Sequence, residues 1–390
     1  MSTLEVDSIV ASTSNTDLSL DGAGTGVVNL ATGAKLNGVA LTDTFSTQSP
    51  TNPNLIINGD MRIAQRGTSF AAPSDGAFTL DRWKQFNSGG GVYTVTQDTS
   101  IVPAGFANSL KFDVTTADAA IAAADYYQIQ YILEGLDISH LKWGTADAQD
   151  VTLSFWVSSS KTGTHSISFS NNGSSRTYVA EYTVSVADTL EYKTITIPGD
   201  TSGTWLTTNG KGLGIVFILA LGSNYTTASV SSWQAANNQG STNQVNCMDN
   251  IANNFFLTGV KLEVGSTATA FVPDDYGTAL AKCMRYYWRV TEDGTLQIAN
   301  SFHFSTTQGL GILPLPVIMR SDASGTFSNA ADFNVNALTS GIDVTALTLN
   351  STPTAAKFTY TVASSLTAGH GSHIYFDGAG TRWFALDAEL

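Results

Sequence analysis

Apolar and polar residues alternate in short runs along most of the chain. In "VTLSFWVSSS" the period is two: Leu153, Phe155 and Val157 fall on one face, and Thr152, Ser154, Trp156 and Ser158 on the other. "GVYTVTQDTSIV", "SLKFDVTT", "YYQIQYIL", "THSISFSN", "TYVAEYTVSV" and "EYKTITI" repeat the theme, with turn pairs such as Asn172-Gly173, Pro198-Gly199 and Asn209-Gly210 between strands. "GIVFILAL" is apolar throughout, which predicts a central strand covered on both faces. Residues 55–273 therefore read as one large β domain with the strand spacing of a sandwich.

Elsewhere the pattern changes. Residues 274–287 place Leu280, Cys283, Met284 and Tyr287 on one helical face, and Asp274 or Asp275 is positioned to cap the helix. Residues 288–390 return to short strands and predict a second, smaller sandwich. At the other end, residues 1–45 hold brief alternating segments such as "LEVDSIV" and "AKLNGVAL", split by Gly, Ser and Thr turns. So polar a stretch cannot bury a core alone, which predicts that copies of the chain intertwine or pair there; a disordered tail is the alternative. Residues 46–54, "STQSPTNPN", read as a linker. The fold class is all-β with one short helix.

Composition narrows the partners. Only 13% of residues are charged, so hydroxyls and amides solvate the surface. The net charge of -14 repels a phosphate backbone and argues against nucleic acid. The longest apolar run, "GLGIVFILALG", is about half a bilayer span, so no membrane insertion is expected. "MSTLEVDSIV" lacks the features of a signal peptide, and synthesis in a cytoplasm is expected. Cys247 and Cys283 are too few for a disulfide framework; two buried thiols are the preferred reading, and a single bridge stays open.

"NLIINGDMRIAQRGTSF", "TLDRWKQF" and "GVKLEVGSTATAFVPDDYGTALAKCMRYY" together resemble a module of bacteriophage tail-fibre and related virion proteins. "LDGAGTG" and "KLNGVAL" look like the attachment and shaft-forming part of such fibres, so the resemblance covers residues 1 to about 290. It implies a jelly roll similar to carbohydrate-binding modules, with Leu55–Ile57 beside Val260–Leu262, and Arg82 and Trp83 locking the sandwich. Modules of this kind often hold calcium through carboxylates near the first and last strands. Here Met61 and Arg62 stand where a Glu is expected, and Leu257-Thr258-Gly259 where acids would be useful, so no metal is expected.

Catalytic signatures are missing from the sequence: there is no GxSxG, HExxH, P-loop or CxxC. No enzyme activity and no cofactor are expected. His370 and His373 form "HGSH", a spacing that could hold a transition metal if Asp377 joined them; the plainer reading is a pair of loop histidines. Binding is better supported. Trp205 lies in a polar loop, and the long loop from Gly222 to Asn246 carries Tyr225 and Trp233 with Asn237 and Asn238. Such rings stack on sugars and such amides pair with hydroxyls; the rival reading has Trp233 pinning the loop or lying at a subunit interface. These five residues are the glycan-site candidates.

The expectation is a phage tail fibre located in the virion, homotrimeric as the resemblance implies. It would attach through residues 1–50 to a tail or other particle protein and bind host surface polysaccharide. A capsid-attached fibre or decoration protein and a polysaccharide depolymerase are the alternatives.

Overall fold

Alternation sorts the side chains much as expected in the computed structural model, which describes residues 35–36, 39–40, 54–337, 340–378 and 380–390. The chain divides into two units, residues 1–52 and 53–390. In the first, β1 (Lys35–Leu36) pairs antiparallel with β2 (Val39–Ala40). The attachment and assembly roles expected of residues 1–45, and the linker expected over 46–54, lie otherwise outside the described residues.

The second unit begins with β3 (Ser69–Ala71), β4 (Trp83–Ser88), β5 (Val92–Asp98), β6 (Ser109–Thr116) and β7 (Tyr126–Glu134). A single turn, α1 (Gly135–Ile138), leads to β8 (Val151–Ser159), β9 (Gly163–Ser170), β10 (Thr177–Val184), β11 (Glu191–Ile197) and β12 (Lys211–Leu221). Three two-residue strands, β13 (Thr226–Thr227), β14 (Trp233–Gln234) and β15 (Gly240–Ser241), precede β16 (Asn254–Val264). One sheet runs β14-β10-β9-β12-β7-β4 and the other β11-β8-β16-β6-β5-β3. The core lies between them: Leu153, Phe155 and Val157 of β8 meet Phe217, Ile215 and Ile129 from the opposite sheet. The apolar run of β12 sits between β9 and β7, inside its sheet and buried along its length, which is why it needs no polar alternation.

The helix α2 (Tyr276–Met284) starts where Asp275 accepts a hydrogen bond from the Thr278 N–H at 3.0 Å. Its Ala279, Leu280 and Cys283 pack on Ile57 and Ile63. Both cysteines are free and buried. Among the described residues no helix is long and apolar enough to cross a membrane.

Nine strands follow: β17 (Tyr287–Glu292), β18 (Leu296–His303), β19 (Gln308–Pro314), β20 (Ser324–Phe327), β21 (Phe333–Ala337), β22 (Ser340–Thr352), β23 (Ala355–Val362), β24 (Gly371–Phe376) and β25 (Arg382–Asp387). They give the smaller β body expected here, through one sheet rather than a pair. The order is β17-β25-β20-β22-β21-β24-β18-β19-β23, and β22 also pairs with β23. Six strands thus run round a closed circuit, because the 13-residue β22 is long enough to pair with β21 early and β23 late. Phe333, Phe358, Ile374, Phe376 and Phe384 fill its own core.

Residues around Asn58, Arg82 and Arg285 join these two bodies. The Asn58-Gly59 turn presses against the last sandwich strand: Val260 donates to the Gly59 carbonyl at 2.9 Å, and a Cβ on Gly59 would lie 2.1 Å from the Val260 oxygen. Leu55 donates to the Leu262 carbonyl, so the first and last segments are neighbours. Trp83 is buried and its indole donates to the Asn58 carbonyl. Arg82 is buried, stacks 3.5 Å over the Tyr286 ring and pairs with Glu389 beyond β25. Arg285 pairs with Glu134 at 2.8 Å, and Arg66 bridges Asp81, Asp387 and Glu389.

Candidate functional site

The two loop tryptophans do not present free faces. Trp205 is only 8% exposed, and its ring meets Trp143 edge-on at 4.7 Å and Trp233 at 5.4 Å. Trp233 also packs on Tyr178, all against the sandwich core. Each indole N–H is used internally: Trp143 donates to Gln149, Trp205 to Ser202 and Trp233 to Pro198, all backbone carbonyls. The cluster joins β10 and β14 of one sheet to the turn after β11 of the other. Trp205 thus packs in the core with Trp143, where an indole is better placed than in solvent, and the half-buried Trp233 leans on both. Asn237 is exposed on the loop, and the half-buried Asn238 donates to the Gln234 side chain at 2.7 Å.

Tyr225 is placed differently. The long loop is clamped along the sheet: Ser231 donates to the Val179 carbonyl, Thr177 to the Ala236 carbonyl, and Gln244 accepts from both the N–H and the hydroxyl of Ser166. Its first turn, Ser223–Tyr225, sets the Tyr225 ring edge-on to Tyr126 of β7 at 6.0 Å. That pair stands at one end of the outward face of the β12 sheet.

Strand register defines this face. Alternate residues of each strand point away from the core, and one row across the sheet reads Lys84, Gln130, Val216, Ser168, Val179. A second holds Phe86, Gln128 and Ile218. A third holds Ile132, Gly214, Ser170 and Thr177. Gln128 and Gln130 keep 7% and 9% exposure, whereas Lys84, Phe86, Tyr126, Lys211 and Tyr225 are half-buried around them. The result is a buried, mixed floor in which amides and hydroxyls alternate with Ile132, Val179, Val216 and Ile218, with rings and ammonium groups beside it.

Two groups on this face are under-used. The Gln128 side-chain oxygen is buried without a hydrogen-bond partner among the described residues. Lys211 folds across Gly214, where a Cβ would come within 2.9 Å of its Nζ, and donates to the Ser170 hydroxyl at 3.3 Å. Burial, helped by the like charge of Lys84, pushes its ammonium down to about 8. An ammonium and an amide oxygen held over hydroxyls can pair with sugar hydroxyls, while Tyr126 and Tyr225 offer ring faces.

The sequence reading missed Tyr126, Gln128, Gln130 and Lys211. The signal was present in "YYQIQYIL", whose alternation places Tyr127, Ile129 and Tyr131 in the core and the two glutamines opposite. At the position where a calcium site was weighed, the Asp60 carboxylate is taken by Arg62 at 2.5 Å.

No family model matches the chain, and no curated protein matches it. Solved structures match in part. A domain titled the enzymatically active domain of bacteriophage CBA120 tailspike protein 4 is 12% identical over 54% of this chain and 21% of its own, with a TM-score of 0.30. The chain thus spans about a fifth of that protein. A putative sugar binding protein from Bacteroides thetaiotaomicron is 12% identical over 55% of this chain and 100% of its own, with a TM-score of 0.31. The C-terminal family 22 carbohydrate binding module of Clostridium thermocellum Xyn10B is 12% identical over 52% of this chain and 98% of its own, at 0.27.

Proposed function

We propose that this protein is a non-enzymatic virion appendage, a phage tail fibre, that binds host surface glycan through the outward face of its β12 sheet. The observation that carries the binding role is the face itself: the Gln128 and Gln130 amides and the Lys211 ammonium share it with the Tyr126–Tyr225 pair at one end. The virion role is supported by the motifs of residues 1 to about 290. In this reading residues 1–50 dock to a tail or other particle protein and hold three chains together. Each glycan site is weak, and several on one particle act together through effective concentration.

The test is titration of the full chain with host surface polysaccharide. Tyr126→Ala and Gln128→Ala each lower affinity by about tenfold or more, with the melting temperature kept near wild type. Unchanged binding by both variants rejects this face. New reducing ends accumulating during the same incubation reject the non-enzymatic reading. Deleting residues 1–45 leaves a folded monomer by light scattering; a trimer would reject the assembly role of that segment.

A further inference from the structure

One end of the C-terminal circuit is not filled. A cavity of 290 Å³ opens where β18 ends and β24 begins, and its wall carries three histidines, His303, His370 and His373. The connection after β23 folds back to build it: His303 donates its backbone N–H to the His370 carbonyl at 3.0 Å, and Gly369 donates to the His303 carbonyl at 2.7 Å. Thr367, Ser372 and Asn336 complete the polar lining. The sequence offered Asp377 as the third member beside His370 and His373. It sits elsewhere, accepting from Asn334 at 2.8 Å, and His303 takes that place.

His303 is 2% exposed, and neither ring nitrogen has a well-aligned hydrogen bond among the described residues; the Thr367 carbonyl is the acceptor beside it. Its ring meets Tyr360 edge-on at 6.3 Å. An imidazole buried this way recovers little of its lost hydration unless something in the cavity replaces it. His373 is held by Asn336, which lies 3.0 Å from its Nε2, and Ser372 donates to the Asn336 carbonyl. The wall is therefore braced from behind, while the His303 ring lines the space with only the Thr367 carbonyl beside it.

The chemistry of the wall selects the occupant. Its lining contains no carboxylate, so it does not attract a cation. Among the described residues no three His, Cys, Asp or Glu groups are arranged to hold a metal ion. The volume equals roughly ten waters, which is the scale of a monosaccharide and far beyond a single ion. Imidazoles that take up a proton attract an anion, and the hydroxyls of Thr367 and Ser372 suit a polyol.

We propose that this cavity binds an acidic monosaccharide, with the sugar carboxylate received by His303 and its hydroxyls by Thr367 and Ser372. The site is separate from the face of the β12 sheet, and either can fail alone. Binding is linked to proton uptake from solvent. Burial, and the nearby positive form of His370, hold His303 below its ordinary range in the empty protein, while the Thr367 carbonyl works the other way. A bound carboxylate favours the charged ring. Affinity therefore rises as pH falls through the imidazole range, and levels off once the empty site is itself protonated. The titratable groups facing His303 across the cavity are His370 and His373, with Tyr360 at its edge. Asp343 and Asp377 sit level with Asn334, one strand repeat of about 7 Å from Asn336.

The experiment is calorimetric titration of the full chain with D-glucuronate, and with D-glucose as the neutral control, at about pH 5.5 and about pH 8. The expected result is saturable glucuronate binding at the lower pH, about tenfold or more weaker at the higher, with net proton uptake and little response to glucose. His303→Asn abolishes it. Should that variant misfold, His370→Asn, at an exposed position, weakens it instead. No saturable binding at acid pH, equal affinity at both pH values, or glucuronate binding unaltered in folded His303→Asn or His370→Asn overturns the proposal. So does nickel ion binding at this cavity in preference to glucuronate.

Discussion

Two clusters of buried titratable groups, among the described residues of the second unit, are treated in opposite ways. Where the sandwich meets the C-terminal strands, the side chains of Arg82, Glu389 and Glu134 are almost fully enclosed, and each has an opposite charge beside it. Tyrosine rings complete the enclosure, Tyr286 over Arg82 and Tyr287 over Arg66. At the open end of the closed circuit, His303 is just as buried and has no opposite charge beside it, only the Thr367 carbonyl. Desolvation costs both places free energy. At the junction it is offset within the protein, so the groups serve the fold. At the cavity it is not, so the group is available to a ligand. The same reasoning separates the indoles from the amides of the sandwich: Trp205 and Trp233 are hydrogen-bonded internally, whereas the Gln128 oxygen is not.

The sharpest way to break this contrast is to unpair the junction. Glu389→Gln leaves the Arg82 guanidinium enclosed without its counter-charge. The expected loss is about 3–5 kcal/mol in urea unfolding. Replacing both partners, Arg82→Met with Glu389→Leu, recovers most of that loss, because two enclosed apolar groups carry no unpaired charge. If the single variant costs no more than the double, the pairing is not what holds the junction.

Next in size is the indole cluster. Trp205→Ala removes a ring packed between Trp143 and Trp233 and costs about 3 kcal/mol in the same assay. Glycan affinity, measured where the variant is folded, stays at the wild-type value. A selective loss of affinity would return Trp205 to the binding site.

Much of this was legible in the sequence, and the misses share a cause. Period-two alternation identified the strands of the sandwich because one face of each is buried, and the run in β12 identified its central place. Asp275 at the start of α2 was equally readable, since capping is local. The fate of Trp205 was not, because a tryptophan in a polar loop reads the same whether it meets a sugar or another indole. Its neighbour Trp143 comes from a different loop, on the far side of β8 to β11. His303 was missed for the same reason: "HGSH" is contiguous, while the third imidazole arrives from β18 through the β18–β24 register. The closure of β22 on β23 is a hairpin, but whether the remaining strands complete a circuit depends on pairings such as β21 with β24, which no local pattern encodes.

The junction also has a pH signature. Burial raises the Asp81 carboxyl from 3.8 to about 6, against the opposing pull of Arg66 and the Gln65 hydrogen bonds and with the aid of Glu389. Between those values the folded chain holds a proton that the unfolded chain has released. This group's contribution is therefore complete below about pH 4 and is lost as pH rises toward 6. Asp81→Asn removes that slope from a series of unfolding curves across the interval. A slope of the opposite sign would mean that the Arg66 charge outweighs burial.

The smallest expected effect is the most discriminating. If His303 were a member of the fold like Arg82, removing its imidazole would cost as much as removing a junction partner. If it is a poorly paired group kept for a ligand, His303→Leu removes two buried ring nitrogens that lack well-aligned partners, at similar bulk and still beside the Tyr360 ring. The change in unfolding free energy is then within about 1 kcal/mol of zero, and of either sign, because lost van der Waals contact and relieved desolvation oppose each other. A loss comparable to that of Glu389→Gln would place His303 with the structural groups and remove the physical reason for expecting anything in the cavity beside it.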